Sequence, residues 1–153
     1  MAKATRKTGS KYNAKVITLD GVSFRSRLEA QCYTLLKDAG VTFLYEAAPV
    51  KLADGVKYHG VEYRSRKASE WSRVTRKDVD VRYRPDFRCP DWTWVIETKG
   101  FRTQSFAIKW RMFKTWCART FPDRPPLLIT ASTKAAVQRA VREVDALRRP
   151  AQN

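Results

Sequence analysis

The chain has 153 residues, 43% of them apolar, which is enough for one domain with its own hydrophobic core. Its 31 Lys and Arg residues outnumber its 15 Asp and Glu residues, and the formal net charge is +16. This excess predicts a polyanionic partner, with nucleic acid first, although solubility alone is the alternative reading. A membrane is not an expected partner, because the sequence has neither a long apolar span nor an amphipathic anchor.

Residues 1–11 are basic and polar, which predicts a disordered arm that lies along phosphates or acts only as a solubilising tail. This segment has no apolar secretory stretch, so we expect a cytoplasmic protein. Cys32, Cys89 and Cys117 are far apart and form no C-x-x-C pair. That spacing argues against a disulfide framework or a structural zinc site, and we expect reduced cysteines.

The first predicted helix covers residues 26–39, where apolar residues recur at helical spacing and Gly40 stands at the expected C-terminal cap. Short apolar or alternating runs at residues 41–45, 50–52 and 56–63 predict antiparallel strands, with a turn at residues 53–55. Residues 64–77 contain six basic residues without a clear period and predict an exposed basic loop.

Two further strands are predicted at residues 83–89 and 92–99, and their alternation separates two faces. One face holds the apolar residues Tyr83, Phe87, Cys89, Trp92, Trp94 and Ile96. The other face holds Arg84, Asp86, Arg88, Thr93, Val95, Glu97 and Lys99. A tight turn near Pro90 and Asp91 sets Asp86 opposite about Val95, with Glu97 as a diagonal neighbour. We therefore expect one face to be core and the other to carry the chemistry.

The C-terminal part predicts a helix at residues 104–120, a buried strand at 127–130 and a third helix capped by Ser132 or Thr133. The apolar stripe of the third helix is Val137, Ala140, Val141, Val144 and Leu147, and the helix ends at residues 148–150. We find no internal repeat. The expected organisation is one domain over residues 12–149, followed by a short tail at residues 150–153.

Asp86, Glu97 and Lys99 form the pattern P-D-x(10)-E-x-K. Two carboxylates on one face bind a hard divalent cation, and Mg²⁺ held in this way keeps waters, one of which is activated for attack on a phosphodiester. Lys99 then orients that water or stabilises the developing charge, and the main-chain carbonyl of Thr98 completes the coordination. The alternative reading is a surface hairpin with ordinary solvated charges.

These residues resemble the PD-(D/E)XK nuclease superfamily, and within it the phage junction-resolving endonucleases. In those enzymes a helix bearing F-R-S-x-L-E precedes a P-D-F strand and a V-E-T-K-G strand. The matching segments here are residues 24–29 (F-R-S-R-L-E), 85–87 (P-D-F) and 96–100 (I-E-T-K-G). Residues 11–15, 20–24 and 99–103 also resemble an uncharacterised phage-borne family assigned to that superfamily, and the likeness covers residues 10–130.

The resemblance implies an α/β (α+β) fold with a restriction-endonuclease-like core, in which helices flank a central mixed sheet in the order αβββαβα. It also implies that Asp86 and Glu97 bind Mg²⁺, for which Mn²⁺ substitutes, and that Lys99 is catalytic. Glu29 on the first helix joins them as a further metal or water ligand. The alternative reading of Glu29 is a first-turn acid that favours the helix dipole. The basic loop of residues 64–77 departs from the family pattern, because it lengthens the gap before the P-D-F strand.

Residues expected to contact DNA are basic, apart from one tryptophan that could stack on a base or wedge a branch point. They are Arg25, Arg27, Arg64, Arg66, Lys67, Trp71, Arg73, Arg76, Lys77, Arg84, Arg88, Arg102 and Lys109. The only histidine, His59, lies in a hairpin beside Gly60 and is read as a solvated turn residue rather than a general base.

The leading hypothesis is an endonuclease of phage or prophage origin, active in the bacterial host cytoplasm, that cuts branched DNA such as a four-way junction. One alternative is a sequence-specific or nicking endonuclease with the same site. The other is a non-catalytic nucleic-acid-binding module. Cutting two strands requires two sites, which predicts a homodimer with twofold symmetry.

Overall fold

The structure is a computed structural model, and it describes residues 16–57 and 79–148. The strands in these ranges are β1 Ile17–Leu19, β2 Val22–Phe24, β3 Leu44–Tyr45, β4 Val50–Ala53, β5 Val81–Tyr83, β6 Phe87–Arg88, β7 Trp94–Thr98 and β8 Leu127–Ala131. The helices are α1 Arg27–Asp38, α2 Gln104–Thr120 and α3 Lys134–Ala146. The fold is therefore mixed α/β, as the sequence predicts.

Four strands form a mixed sheet in the order β3-β6-β7-β8. The β3/β6 and β6/β7 pairs are antiparallel, whereas β7 and β8 are parallel and are connected through α2. Two further antiparallel pairs, β1/β2 and β4/β5, lie outside this sheet. The first is a hairpin whose turn residues, Asp20 and Gly21, both have positive φ, in agreement with the two-residue turn signal in the sequence.

Two apolar clusters cover the opposite faces of β7, and all five of its residues are buried. The first cluster joins α1 and α3 to Phe87, Trp94 and Ile96. The second cluster joins α2 to Tyr83 and Val95. The prediction that only one face of these strands belongs to the core was therefore wrong for β7, since the face that carries Val95 and Glu97 is also covered. Any chemistry at Glu97 takes place in a largely desolvated site.

The helices agree closely with their sequence patterns. Helix α1 begins after Ser26, whose hydroxyl accepts the Glu29 N–H at 3.1 Å, and Gly40 follows its end with φ 63°. Helix α2 has the predicted bounds. Thr133, not Ser132, caps α3. Leu147 was wrongly assigned to the buried stripe of α3, because it is the C-terminal cap and is 50% exposed.

Two of the predicted N-terminal strands need correction. Residues 41–43 are not extended strand, because the Val41 N–H donates to the Leu36 carbonyl and closes the end of α1. Strand β4 pairs with β5, and Val56 is outside any strand, while residues 58–63 of the predicted strand at 56–63 lie outside the described residues. The Asp80 carboxylate accepts the Gly55 N–H at 2.9 Å, which ties the turn after β4 to the start of β5.

The predicted strand at residues 83–89 is two strands, β5 and β6, separated by Arg84, Pro85 and Asp86. Pro85 has no N–H to donate to a sheet, so the ladder breaks there. The break also changes which side of the sheet the following side chains face. Tyr83 packs in the α2 cluster whereas Phe87 packs in the α1/α3 cluster, although alternation predicted one face for both.

The register between β6 and β7 also differs from the prediction. Phe87 pairs with Ile96 and Arg88 with Val95, so the same register carried one residue further sets Asp86 opposite Glu97 and not opposite Val95. The cause is the connecting loop, which is longer than a tight turn and covers residues 90–93, with Trp92 at φ 62°. Trp92 consequently packs in the α2 cluster rather than beside Trp94.

Several sequence expectations fall on residues that the structure leaves undescribed. The arm of residues 1–11, the basic loop of residues 64–77, the tail of residues 150–153 and His59 lie outside the described residues. Within the described ranges, no helix has the length and apolar character needed to cross a membrane. Cys32, Cys89 and Cys117 are free, as expected.

Candidate active site

Asp86 lies in the connection between β5 and β6, and hydrogen bonds from two sides hold it there. Its carbonyl accepts the Glu46 N–H at 2.8 Å. Its carboxylate oxygen Oδ2 accepts two bonds from Thr98, one from the N–H at 2.8 Å and one from the hydroxyl at 2.7 Å. Both Thr98 bonds go to the same oxygen, so the other oxygen, Oδ1, has no donor among the described residues.

Glu97 lies on β7 beside Asp86 and is 4% exposed. Its Oε2 accepts the Asp86 N–H at 3.3 Å. The buried hydroxyl of Tyr83 has no hydrogen-bond partner of ordinary geometry among the described residues, yet it lies close enough to lower the pKa of Glu97. The two carboxylates are thus neighbours across β6 and β7 in a site that is closed to most of the solvent.

The electrostatics of this pair are unfavourable without a cation. Burial is the main cause that raises the pKa of Glu97, to about 8, and the adjacent charge of Asp86 adds to the effect. Burial also raises the pKa of Asp86, although the two Thr98 bonds oppose the shift. Neither carboxylate forms an ion pair with a Lys or Arg of the described residues. A bound cation would favour the charged form of both groups.

Glu29 is buried in the first turn of α1, where it closes a capping box with Ser26. Its Oε1 accepts the Ser26 hydroxyl at 2.8 Å, and its Oε2 accepts the Arg25 N–H at 3.3 Å and the Tyr45 hydroxyl at 2.8 Å. Its charge also raises the pKa of Asp86. Glu29 therefore acts electrostatically on Asp86 while three donors hold the Glu29 carboxylate in place.

Tyr45 and Glu46 link these acidic residues, a role that sequence reasoning missed. The Tyr45 ring packs against Phe24 and Phe87 at centroid distances of 4.9 and 5.0 Å, and its hydroxyl bonds Glu29. Glu46 has φ 41°, a conformation that non-glycine residues seldom adopt, and in it the Glu46 N–H reaches the Asp86 carbonyl. These contacts join distant parts of the chain, so no local pattern could have indicated them.

Lys99 follows β7 directly, and its N–H donates to the Ala131 carbonyl at 2.9 Å. Its Nζ lies 5.3 Å from the ring centroid of Phe106, a residue of the α2 cluster. Its half-buried side chain is therefore on the α2 side of the sheet, the side to which Val95 also points. Its charge lowers the pKa of both Asp86 and Glu97 without forming an ion pair with either.

A divalent cation fits this arrangement only if waters and substrate supply part of its coordination. Among the described residues, no three side chains of His, Cys, Asp or Glu come together to hold an ion by themselves. Mg²⁺ is commonly held by one or two carboxylates together with waters and phosphate oxygens. The Asp86–Glu97 pair meets that lower requirement, since the described residues supply neither a donor to Asp86 Oδ1 nor a cationic partner for either carboxylate.

Among the residues expected to contact DNA, some cations are simply exposed and others already bond a neighbouring side chain. Arg27, Arg84 and Lys109 are exposed. Arg25 is exposed but forms an ion pair with Glu46, and the exposed Arg102 donates to the Thr130 hydroxyl at 2.7 Å. The following expected contacts lie in the undescribed segment: Arg64, Arg66, Lys67, Trp71, Arg73, Arg76 and Lys77.

Arg88 differs from these exposed cations. Its guanidinium stacks on Trp92 at 4.2 Å from the ring centroid, and its Nη1 donates to the carbonyls of Cys89 and Pro90. The side chain is half-buried and serves the loop of residues 90–93.

A family model described as "Protein of unknown function (DUF1064)" matches residues 9–134. The chain belongs to this family. The match includes Glu29, Asp86, Glu97 and Lys99, together with every element from β1 to β8. No curated protein and no solved structure matches the chain. The description of the family assigns no activity.

Proposed function

We propose that the chain is a divalent-metal-dependent DNA endonuclease that hydrolyses phosphodiester bonds. The observation that carries this proposal is the buried pair of Asp86 and Glu97 in a chain with a net charge of +16. The Asp86 N–H donates to the Glu97 carboxylate, and neither carboxylate has a cationic partner among the described residues. Buried carboxylates destabilise a fold unless they are paired, protonated or bound to a cation. A bound cation would offset this cost when both carboxylates are charged, which supports a metal site.

Asp86 and Glu97 hold Mg²⁺ or Mn²⁺ in this proposal, with the Thr98 carbonyl and Glu29 as further contributors directly or through water. The ion supplies activation of a water molecule and neutralisation of the charge on the phosphate. The chain supplies the orientation. Thr98 fixes one oxygen of Asp86, and the Asp86 N–H fixes one oxygen of Glu97.

Lys99 supplies positive charge at the reacting phosphate. Its backbone is fixed to β8, and its ammonium group lies against Phe106 and forms no ion pair with the described residues. An ammonium group that no carboxylate neutralises is free to stabilise charge that develops on the phosphoryl oxygens or on the leaving group. The Phe106 ring covers one side of the half-buried Lys99 side chain, and the reduced contact with water strengthens that interaction.

DNA is the proposed substrate because the surface next to the site is cationic. Helix α2 begins just after Lys99 and carries Lys109, Arg111, Lys114 and Arg119 but no acidic residue. Such cations contact phosphates, which positions a duplex without reading its sequence. The resemblance to junction-resolving enzymes of the PD-(D/E)XK superfamily favours branched DNA as the substrate. Two cuts at one branch require a homodimer that presents two sites.

Two other functions remain as rivals. A sequence-specific or nicking endonuclease would use the same site, and a defined sequence at its cuts would reveal it. A non-catalytic nucleic-acid-binding module is favoured by one observation, that the described residues contain no group of three metal-ligating side chains. That module would bind DNA in a salt-sensitive way and cut nothing.

The test compares four labelled substrates, a four-way junction, a fork, a linear duplex and a single strand, with Mg²⁺ or with a chelator. Asp86→Asn and Lys99→Ala are compared with the matched surface variants Asp123→Asn and Lys134→Ala, both at exposed positions. We expect Mg²⁺-dependent cleavage of the branched substrates by wild type and the surface variants only. Equal cleavage by Asp86→Asn would overturn the site, and cleavage of linear duplex alone would overturn the preference for branches.

A further inference from the structure

Phe101 has a large apolar side chain that is exposed to solvent, and hydrogen bonds on both sides hold its segment of the chain in place. It is 70% exposed, between β7 and α2. Before it, the Lys99 N–H donates to the Ala131 carbonyl. After it, Arg102 bonds the Thr130 hydroxyl at 2.7 Å, and Thr103 caps α2 by accepting the Phe106 N–H at 3.2 Å. Because the backbone is fixed on both sides, little conformational entropy is lost when Phe101 meets a partner.

The charge around Phe101 restricts the chemistry of that partner. Lys99 and Arg102 lie two residues before it and one residue after it, and α2 continues with basic residues and no acidic one. A protein surface or a lipid tail that covered Phe101 would have to neutralise these cations as well. A nucleic acid meets both requirements, because its phosphates neutralise the cations and its bases present flat faces that cover an aromatic ring.

The position of Phe101 in the chain limits which base it can reach. Two residues of extended chain span at most about 7 Å, so the Cα atom of Phe101 is no further than that from the Cα atom of Lys99. DNA advances about 3.4 Å per nucleotide along one strand. The two side chains add their own reach to this distance, so a base on Phe101 belongs to a nucleotide within a few positions of a phosphate held at Lys99.

We propose that Phe101 determines substrate specificity by stacking on a nucleobase that has an open face next to the scissile phosphate. A base inside a continuous duplex already has a neighbour on each side, so its faces are closed. A base at a junction, a flap or a single-stranded end has one face free. This inference rests on the proposed function for the location of the scissile phosphate, and it names the structural feature of DNA that the site selects.

The experiment measures binding in the presence of a chelator, so that no DNA is cut, using the full chain and its Phe101→Ala, Phe101→Leu and Phe101→Trp variants. The probes are a four-way junction and a linear duplex, each with 2-aminopurine next to the central position. Ile108→Ala is the matched control, because Ile108 is 59% exposed on the same cationic helix. Circular dichroism establishes that each variant is folded.

We expect wild type to bind the junction more tightly than the duplex and to quench the 2-aminopurine at the branch. Phe101→Ala and Phe101→Leu should lose the quenching and reduce junction affinity by about 5-fold or more, the lower end of what base–aromatic stacking contributes. Phe101→Trp and Ile108→Ala should bind like wild type. Unchanged junction affinity in Phe101→Ala, or equal loss on both probes, would overturn the inference.

Cleavage assayed separately in Mg²⁺ distinguishes this inference from the proposed function. If Phe101→Ala loses junction preference while wild type cuts no substrate, the stacking inference stands and the endonuclease proposal fails. If wild type cuts branched DNA and Phe101→Ala cuts and binds it equally well, the endonuclease stands and the stacking inference fails.

Discussion

Asp86 donates its main-chain N–H to Oε2 of Glu97 at 3.3 Å, although the two residues are eleven positions apart in the chain. The bond brings a second carboxylate next to one that Thr98 already orients. Both groups are buried, and burial raises the pKa of each. In the metal-free protein, the two buried carboxylates therefore lower the free energy of unfolding by an amount that depends on pH and on bound cations. This effect on stability can be measured without any substrate.

The first prediction concerns stability against pH in the presence of a chelator. The pKa of Glu97 rises from 4.5 to about 8 on folding, so its contribution to stability is present below pH 4.5 and is lost as the pH rises through 8. Glu97→Gln removes this dependence. At pH 8.5 the variant should be more stable than wild type by on the order of 1 kcal/mol or more, and at pH 4.5 the two should be alike.

Urea denaturation across this pH range checks the first prediction, with Glu143→Gln as the control. Glu143 is an exposed α3 residue, and its only ion pair in the described chain is a long one with Arg139. Wild type that gained stability relative to Glu97→Gln between pH 5 and pH 8 would contradict the predicted direction.

The second prediction concerns Mg²⁺. A ligand that binds only the folded state raises the free energy of unfolding by RT ln(1 + [L]/Kd). Because the ion binds the charged carboxylates, its stabilising effect on wild type should be larger at pH 8 than at pH 5.5. Thermal melts with 10 Kd of Mg²⁺ should show a gain of about 1.4 kcal/mol at the pH where Kd was measured. Asp86→Asn should show little gain, and a gain equal to that of wild type would place the ion elsewhere.

The third prediction separates the two roles of Glu29. Glu29→Ala removes a capping box and the Tyr45 bond, and it should cost about 1–2 kcal/mol of stability. Tyr45→Phe removes only one hydrogen bond and keeps the ring between Phe24 and Phe87, so it should cost about 1 kcal/mol. Calorimetric titration with Mn²⁺ should show weaker binding in Asp86→Asn than in Glu29→Gln, because three donors already hold the Glu29 carboxylate. The reverse order would make Glu29 the principal ligand.

The fourth prediction distinguishes Lys99 from the cations that only bind DNA. Lys99→Ala should lower the single-turnover cleavage rate by about 100-fold and DNA affinity by much less, because its charge acts mainly on the reacting phosphate in the transition state. Lys109→Ala, at an exposed position of α2, should weaken DNA binding and reduce the slope of log K against log salt by about one. Loss of affinity without loss of rate in Lys99→Ala would assign it to binding alone.

The sequence predicts the helices well because their signals are local. The spacing of Phe106, Trp110, Phe113 and Cys117 gives both the bounds and the buried face of α2. The parity of the two central strands is also right, since Phe87 and Ile96 share the α1/α3 cluster. The observed register differs from the predicted one by two residues, and a shift of two keeps each side chain on the same face of the sheet. The prediction that the carboxylates of Asp86 and Glu97 are neighbours was therefore correct, although Asp86 lies opposite Glu97 and not opposite Val95.

The parts that sequence could not predict depend on breaks and on contacts between distant segments. Pro85 ends a strand whose alternation continues past it, so Asp86 was assigned to a ladder that it does not join. Trp92 adopts a positive φ, which no pattern of apolar residues indicates. The bond between Tyr45 and Glu29 joins residues sixteen positions apart, and only the folded chain brings them together.

The most direct test of the central claim is the single-turnover rate of branched-DNA cleavage as a function of Mg²⁺ concentration, for wild type, Asp86→Asn, Glu97→Gln and Asp123→Asn. If Asp86 and Glu97 hold the ion, wild type and Asp123→Asn will cut with the same Mg²⁺ dependence. The other two variants will be slower by about 100-fold or more at saturating DNA. Cleavage by Glu97→Gln at the wild-type rate and Mg²⁺ dependence, or binding of the junction by wild type without any cleavage in Mg²⁺ or Mn²⁺, would contradict the claim.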